Sequence, residues 1–137
     1  MEPDKRINLE WTGEGLVFRG GAPDGPQITV DGDGSDGPTP MDSVLLGVAG
    51  CMGVDVRMIL EKSRVEIQGL EVDTEAERAP EPPRRYTSLR IHFRVVGAGQ
   101  EDESKIERAI QLSRDTYCSV LHSLQPDIPV EVGFERV

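Results

Sequence analysis

Thr39-Pro40-Met41-Asp42-Ser43-Val44-Leu45-Leu46-Gly47-Val48-Ala49-Gly50-Cys51-Met52 is the stretch whose reading decides the fold. Thr39 is a natural N-cap, and Pro40 fits the first helical position, where no N–H is needed. Asp42 falls at N3, where a carboxylate closes a capping box and meets the positive end of the helix dipole. The spacing predicts a helix from Pro40 to about Lys62, roughly 35 Å long at 1.5 Å per residue. Its first half is apolar nearly all round, as expected of a helix buried on most sides. Gly47, Gly50 and Gly53 weaken such a helix by about 1 kcal/mol each relative to alanine. Close backbone approach is the usual compensation, so another helix or a partner subunit is expected across this face. From Asp55 to Arg64 the pattern turns amphipathic.

Working outward, the residues before the helix read as a small antiparallel meander. Ile7, Leu9 and Trp11 alternate on one face, Leu16-Val17-Phe18 opens a second strand and Ile28-Thr29-Val30 a third. Gly13-Glu14-Gly15 and Pro23-Asp24-Gly25-Pro26 supply the turns. Three short strands bury little alone, so this piece needs something to pack on. Between it and the helix lies Asp31-Gly32-Asp33-Gly34-Ser35-Asp36-Gly37-Pro38, which superficially resembles a calcium loop. An EF-hand needs a glutamate at position 12 and helices on both sides. Here position 12 is Asp42 and no helix precedes, so a flexible polar turn is expected.

After the helix, Val65–Glu77 and Arg85–Val96 read as two long strands. The linking Ala79-Pro80-Glu81-Pro82-Pro83-Arg84 cannot lie inside a sheet. Leu89, Ile91, Phe93 and Val95 alternate with Arg90, His92 and Arg94, the mark of a sheet covered on one face. Glu101 to about Ser113 reads as a helix with Ile106, Ala109 and Ile110 inward. Tyr117-Cys118-Ser119-Val120-Leu121 opens or continues a helix, Pro126 ends it, and Ile128–Phe134 is a last strand. Strands segregated from helices indicate an α+β fold, one domain over residues 1–137. The apolar helix and the unsupported N-terminal strands together suggest an intertwined homodimer.

Composition narrows the function. Fifteen Lys and Arg against 25 Asp and Glu give a net charge of −10, which repels nucleic acid and anionic membrane. Met1-Glu2-Pro3-Asp4-Lys5-Arg6 has no apolar signal region. The longest apolar run, Val44 to about Val54, is too short to span a bilayer. A soluble cytoplasmic protein is expected. Two cysteines are too few for a disulfide-stapled secreted domain. Cys51 and Cys118 can meet only through the fold. Each has a bland reading as a small buried hydrophobe. His122, one helical turn after Cys118, could bond the thiol or lower its pKa, or be an ordinary surface histidine. Cys51, Cys118, His92 and His122 lack the spacings of a zinc site, so no metal is expected. No nucleophile elbow, P-loop or dinucleotide-binding glycine motif is present.

The two cysteine-bearing segments carry a resemblance to a known family. Pro40 through Cys51, followed by Asp55-Val56 and Ile59-Leu60, resembles the first-cysteine helix of the OsmC/Ohr family. Ile106-Glu107-Arg108-Ala109-Ile110, Leu112-Ser113 and Tyr117-Cys118-Ser119-Val120 resemble its second-cysteine motif, and Arg85-Tyr86-Thr87 and Ile91-His92-Phe93 fit between. The likeness runs from about residue 6 to 136. It implies an OsmC-like fold, a homodimer with active sites at the interface, and reduction of organic hydroperoxides or hydrogen peroxide. Cys51 would attack the peroxide and Cys118 would resolve the sulfenic acid as a disulfide. An external dithiol would reset the pair, with no bound cofactor. An arginine must activate the thiolate. Arg19 is the candidate, with Arg78 and Arg85 as rivals. The family's best-known members carry glutamate directly after the helix-starting proline. Here Met41 takes that place and Asp42 follows, placing the chain in the OsmC-like branch and leaving Asp42 as a possible assisting acid. The competing reading on the same scaffold is a non-catalytic protein that binds a small apolar ligand.

Overall fold

A computed structural model of the chain describes residues 2–137; Met1, where the N-terminal reading began, lies outside the described residues. The fold is α+β, in the order β1 (Asn8–Trp11), β2 (Val17–Gly21), β3 (Gln27–Asp31), α1 (Pro40–Lys62), β4 (Gly69–Arg78), β5 (Tyr86–Val96), α2 (Glu103–Leu112) and β6 (Val130–Arg136). Contacts gather into two units, Met1–Val44 and Leu45–Val137.

The first unit is an antiparallel sheet in the order β1-β2-β3. Trp11 pairs with Phe18 and Arg19 with Thr29. The Trp11 indole N–H donates to the Gly15 carbonyl at 3.0 Å, closing the first turn. As the sequence anticipated, the meander buries little. Ile7, Leu9, Trp11, Leu16 and Ile28 are all exposed.

In the second unit β5 is central, antiparallel to β4 and parallel to β6. Parallel pairing needs a crossover connection, and α2 lies within it. Leu89, Ile91, Phe93 and Val95 are buried on the inner face, as their alternation requires. Val48, Met52, Val56 and Leu60 of α1, each fully buried, share their core with Ile106, Ala109 and Ile110 of α2. Complete burial of such a side chain is worth about 1.5–3 kcal/mol. The outer face carries Arg90 between Glu75 and Glu131, both at 3.2 Å, and His92 beside Glu135 at 3.4 Å.

Helix α1 has the predicted bounds, and both ends have physical causes. At the start, the Asp42 N–H donates to Thr39 Oγ1 at 3.0 Å, and the Thr39 N–H donates to Asp42 Oδ2 at 3.2 Å. That is a complete capping box. At the end, the Val65 N–H reaches the Leu60 carbonyl and the Arg64 N–H the Glu61 carbonyl. This is a Schellman motif, with Arg64 in the left-handed conformation at φ 59°.

Several expectations are corrected. Val65 belongs to the helix cap, and β4 starts only at Gly69. Tyr117–Leu121 is not continuous helix. A single π turn over Ser113–Tyr117 breaks at Cys118, which is extended at ψ 98°. A short 3₁₀ turn follows at Leu121–Ser123. Among the described residues of a single chain no helix faces the α1 glycines, and a Cβ at Gly50 would meet nothing within 4 Å. A Cβ at Gly47 would lie 3.5 Å from Val120 Cγ1, and one at Gly53 would lie 3.4 Å from Val72 Cγ2. Nor is α1 buried on most sides, because Leu46, Val54 and Met58 are at least half exposed. Taken whole, α1 is long and apolar enough to cross a membrane by length and composition, unlike the shorter run judged from sequence. Its Val48-Met52-Val56-Leu60 face lies in the protein core, as a core helix requires.

Candidate active site

Cys51 and Cys118 come together. Cys51 sits on α1, half-buried, and packs on the core cluster that contains Cys118. Cys118 is fully buried at the exit of the π turn. Both are free thiols, and the Cys51 sulfur is a hydrogen-bond neighbour of Cys118. Residues 67 positions apart in sequence thus face each other across α1 and the segment after α2.

The two sulfurs differ in setting. The Leu121 N–H donates to Cys118 Sγ at 3.3 Å, which favours a thiolate. Burial outweighs it, and the neighbouring Cys51 and the negative Asp55 add to the effect, so the Cys118 thiol is pushed up to about 11. Cys118 is therefore a protonated thiol at neutral pH, and of the pair it is the more deeply buried.

Two residues to which the sequence assigned no role complete this region. Asp55 lies one helical turn beyond Cys51, on the same face of α1. Ser113, fully buried, donates its hydroxyl to Asp55 Oδ2 at 2.7 Å. The Ser113 carbonyl accepts the Cys118 N–H at 2.8 Å. Ser113 thus ties α1 to the backbone of the second cysteine. The place of Asp55 and Ser113 in the two segments that carry the family resemblance was the signal in the sequence.

The other candidates have partners of their own. Asp42 is engaged in the cap of α1, which accounts for it fully. Arg19 belongs to the first unit, where its Nη1 donates to Thr29 Oγ1 at 2.7 Å. Arg85 is paired with Asp127 at 2.7 Å, and Arg78 donates to the Arg84 carbonyl. His122 is not a thiol partner. Its Nε2 lies 2.9 Å from the Arg114 carbonyl and its ring is exposed. The helix break at Cys118 spoils the one-turn spacing that would have aimed the ring at the sulfur. Among the described residues no three His, Cys, Asp or Glu side chains converge as metal ligands.

The Asp31 loop is not a flexible turn. The Asp31 carboxylate is buried and accepts N–H groups from Asp33, Ser35 and Asp36 at 2.9–3.2 Å. These bonds, that to Asp36 foremost, hold its pKa below the usual carboxylate value. The oxygens that a calcium site would use face donors instead.

Comparison with known proteins shows the family. Residues 32–133, which include both cysteines, match the family model described as OsmC-like protein. The chain belongs to the OsmC-like family. It is 38% identical over 133 residues to Protein YhfA of Escherichia coli strain K12, covering 96% of this chain and 98% of that one. It is similar to the crystal structure of a hypothetical protein from Aquifex aeolicus, with a TM-score of 0.85 and 31% identity, covering 100% of this chain and 98% of that one. The organic hydroperoxide resistance protein OhrB of Bacillus subtilis shares the fold, with a TM-score of 0.61 at 14% identity over 96% and 97% of the two chains.

Proposed function

We propose that this OsmC-like protein is a soluble cytoplasmic thiol peroxidase that reduces organic hydroperoxides or hydrogen peroxide. The observation that carries the proposal is the meeting of Cys51 and Cys118. One sulfur is half-buried on a long helix, and the other is a buried, protonated neighbour. Family membership and the fold shared with a protein named for hydroperoxide resistance support a role in stress response.

The chemistry runs in three steps. The Cys51 thiolate attacks the distal oxygen of the hydroperoxide. An S–O bond forms, the O–O bond breaks, and the alkoxide leaves as alcohol after taking a proton. Cys118 then attacks the Cys51 sulfenic acid. The S–S bond forms, the S–O bond breaks, and the thiol proton leaves with the hydroxide as water. An external dithiol reduces the disulfide by exchange. The half-buried sulfur suits attack on an outside molecule, and the buried one suits resolution. We also propose that the protein works as a homodimer, in which a second copy covers the exposed Leu46-Val54-Met58 stripe of α1.

Purified protein is expected to consume cumene hydroperoxide with a dithiol reductant, and Cys51→Ser is expected to abolish turnover. Undiminished turnover by that variant would sink the assignment. Absence of turnover in the wild type, with both thiols unmodified, would favour the apolar ligand-binding reading.

A further inference from the structure

The link between Asp55, Ser113 and the Cys118 backbone has no part in the three steps above, yet it lies against the cysteine pair. Ser113 is fully buried, and its hydroxyl, carbonyl and backbone N–H are all committed, the last to the Ala109 and Ile110 carbonyls. Its hydroxyl donates to Asp55 Oδ2 at 2.7 Å. Its carbonyl accepts the Cys118 N–H at 2.8 Å, the bond that closes the π turn. A π turn inserts one residue into a helix and commonly marks a functional position. Here it ends the helical course of the chain at Cys118. Asp55 is four residues beyond Cys51, so the helix that carries the first cysteine also holds the anchor of the second. The bond is part-buried, with the Ser113 side fully buried, and leaving that hydroxyl without its partner is costly. It therefore fixes the π turn to α1 at one register.

We propose that Asp55 and Ser113 are positioning residues that hold Cys118 against Cys51 and set the rate at which the disulfide closes. The inference rests on the reading of Cys51 and Cys118 as a reacting pair. In the step concerned, the sulfenic acid left by a hydroperoxide at Cys51 is displaced by the Cys118 sulfur. The S–S bond forms, the S–O bond breaks, and water leaves with the Cys118 proton. The role proposed concerns closure alone, so oxidation of Cys51 is the internal reference for it. A misplacement on the order of 1 Å is enough to slow such a step strongly.

The test compares Asp55→Ala, Ser113→Ala and Asp55→Asn with the wild type. After one equivalent of cumene hydroperoxide, dimedone traps the Cys51 sulfenic acid, and mass spectrometry counts adduct against disulfide. In the two alanine variants closure is expected to slow by about tenfold or more, with dimedone adduct accumulating at Cys51. Asp55→Asn keeps an oxygen acceptor for the Ser113 hydroxyl and removes the charge. It is expected to restore closure while the Cys118 thiol, followed by thiolate absorbance, titrates at lower pH than in the wild type. A merely structural contact would not separate these two readouts. Wild-type closure rates in both alanine variants would overturn the proposal. So would slow closure in Asp55→Asn with an unchanged melting temperature. Closure driven by diamide in place of peroxide gives the same comparison without peroxidase activity. If the peroxide reaction fails in every protein while the diamide ranking holds, the peroxidase reading falls and the positioning role stands.

Discussion

At the residue scale, the cysteine pair is controlled by contacts of opposite sign around Cys118. Burial raises its pKa most, the Leu121 N–H opposes that, and Cys51 and Asp55 raise it further. The sign for stability follows. The folded state favours the protonated thiol, so its contribution is complete below the unfolded thiol pKa of about 8.5. It is lost as pH rises toward the folded value of about 11. The melting temperature of the wild type is therefore expected to fall more steeply between these pH values than that of Cys118→Ala. Equal slopes would contradict the assigned environment. Both cysteines were legible in the sequence through the motifs around them. The Asp55–Ser113 bond was not, because 58 positions separate its partners, and the motifs that contain them do not say that the two side chains meet. His122 could reach the thiol only on a continuous helix, and its other reading, an ordinary surface histidine, is the one the structure bears out. The π turn that breaks that helix is fixed by tertiary contacts, which local propensity does not report.

At the scale of elements, α1 shows what local sequence can and cannot specify. Thr39, Pro40 and Asp42 announce its start because capping is local chemistry. Its end is less legible, because the left-handed position after the last turn is held by Arg64 rather than by glycine. An L-residue there costs about 1–2 kcal/mol. Arg64→Gly relieves this but adds freedom to the unfolded chain, so a net gain of about 0.5–1 kcal/mol is expected in chemical denaturation. A loss of stability would mean that the Arg64 side chain makes a larger contribution than the strain it carries. The inner face of β5 was legible for a comparable reason: a period of two leaves no choice about which side of Leu89, Ile91, Phe93 and Val95 is buried. The neighbours of the α1 glycines were not legible. A glycine does not say what it faces: a Cβ at Gly47 or Gly53 would make only ordinary contact with Val120 or Val72, and one at Gly50 would meet nothing within 4 Å.

At the scale of the whole molecule, a single chain leaves much apolar surface uncovered. Leu46, Val54 and Met58 recur at intervals of eight and four along one side of α1 and are 59%, 59% and 50% exposed. The strands of the first unit expose Leu9, Trp11 and Ile28. Soluble monomers rarely leave such patches open. The proposed homodimer predicts a sedimentation mass of twice 15.0 kDa. Val54→Glu is expected to shift the protein toward monomer with little effect on the chain's own core, where position 54 takes no part. A monomeric wild type would contradict the dimer without touching the cysteine chemistry. That chemistry is tested most directly by the intact mass of the protein after one equivalent of cumene hydroperoxide without reductant. The expected product is lighter by two hydrogens, carries a Cys51–Cys118 disulfide in its peptide map, and returns to its starting mass with a dithiol. Two unmodified thiols after the same treatment would contradict the account.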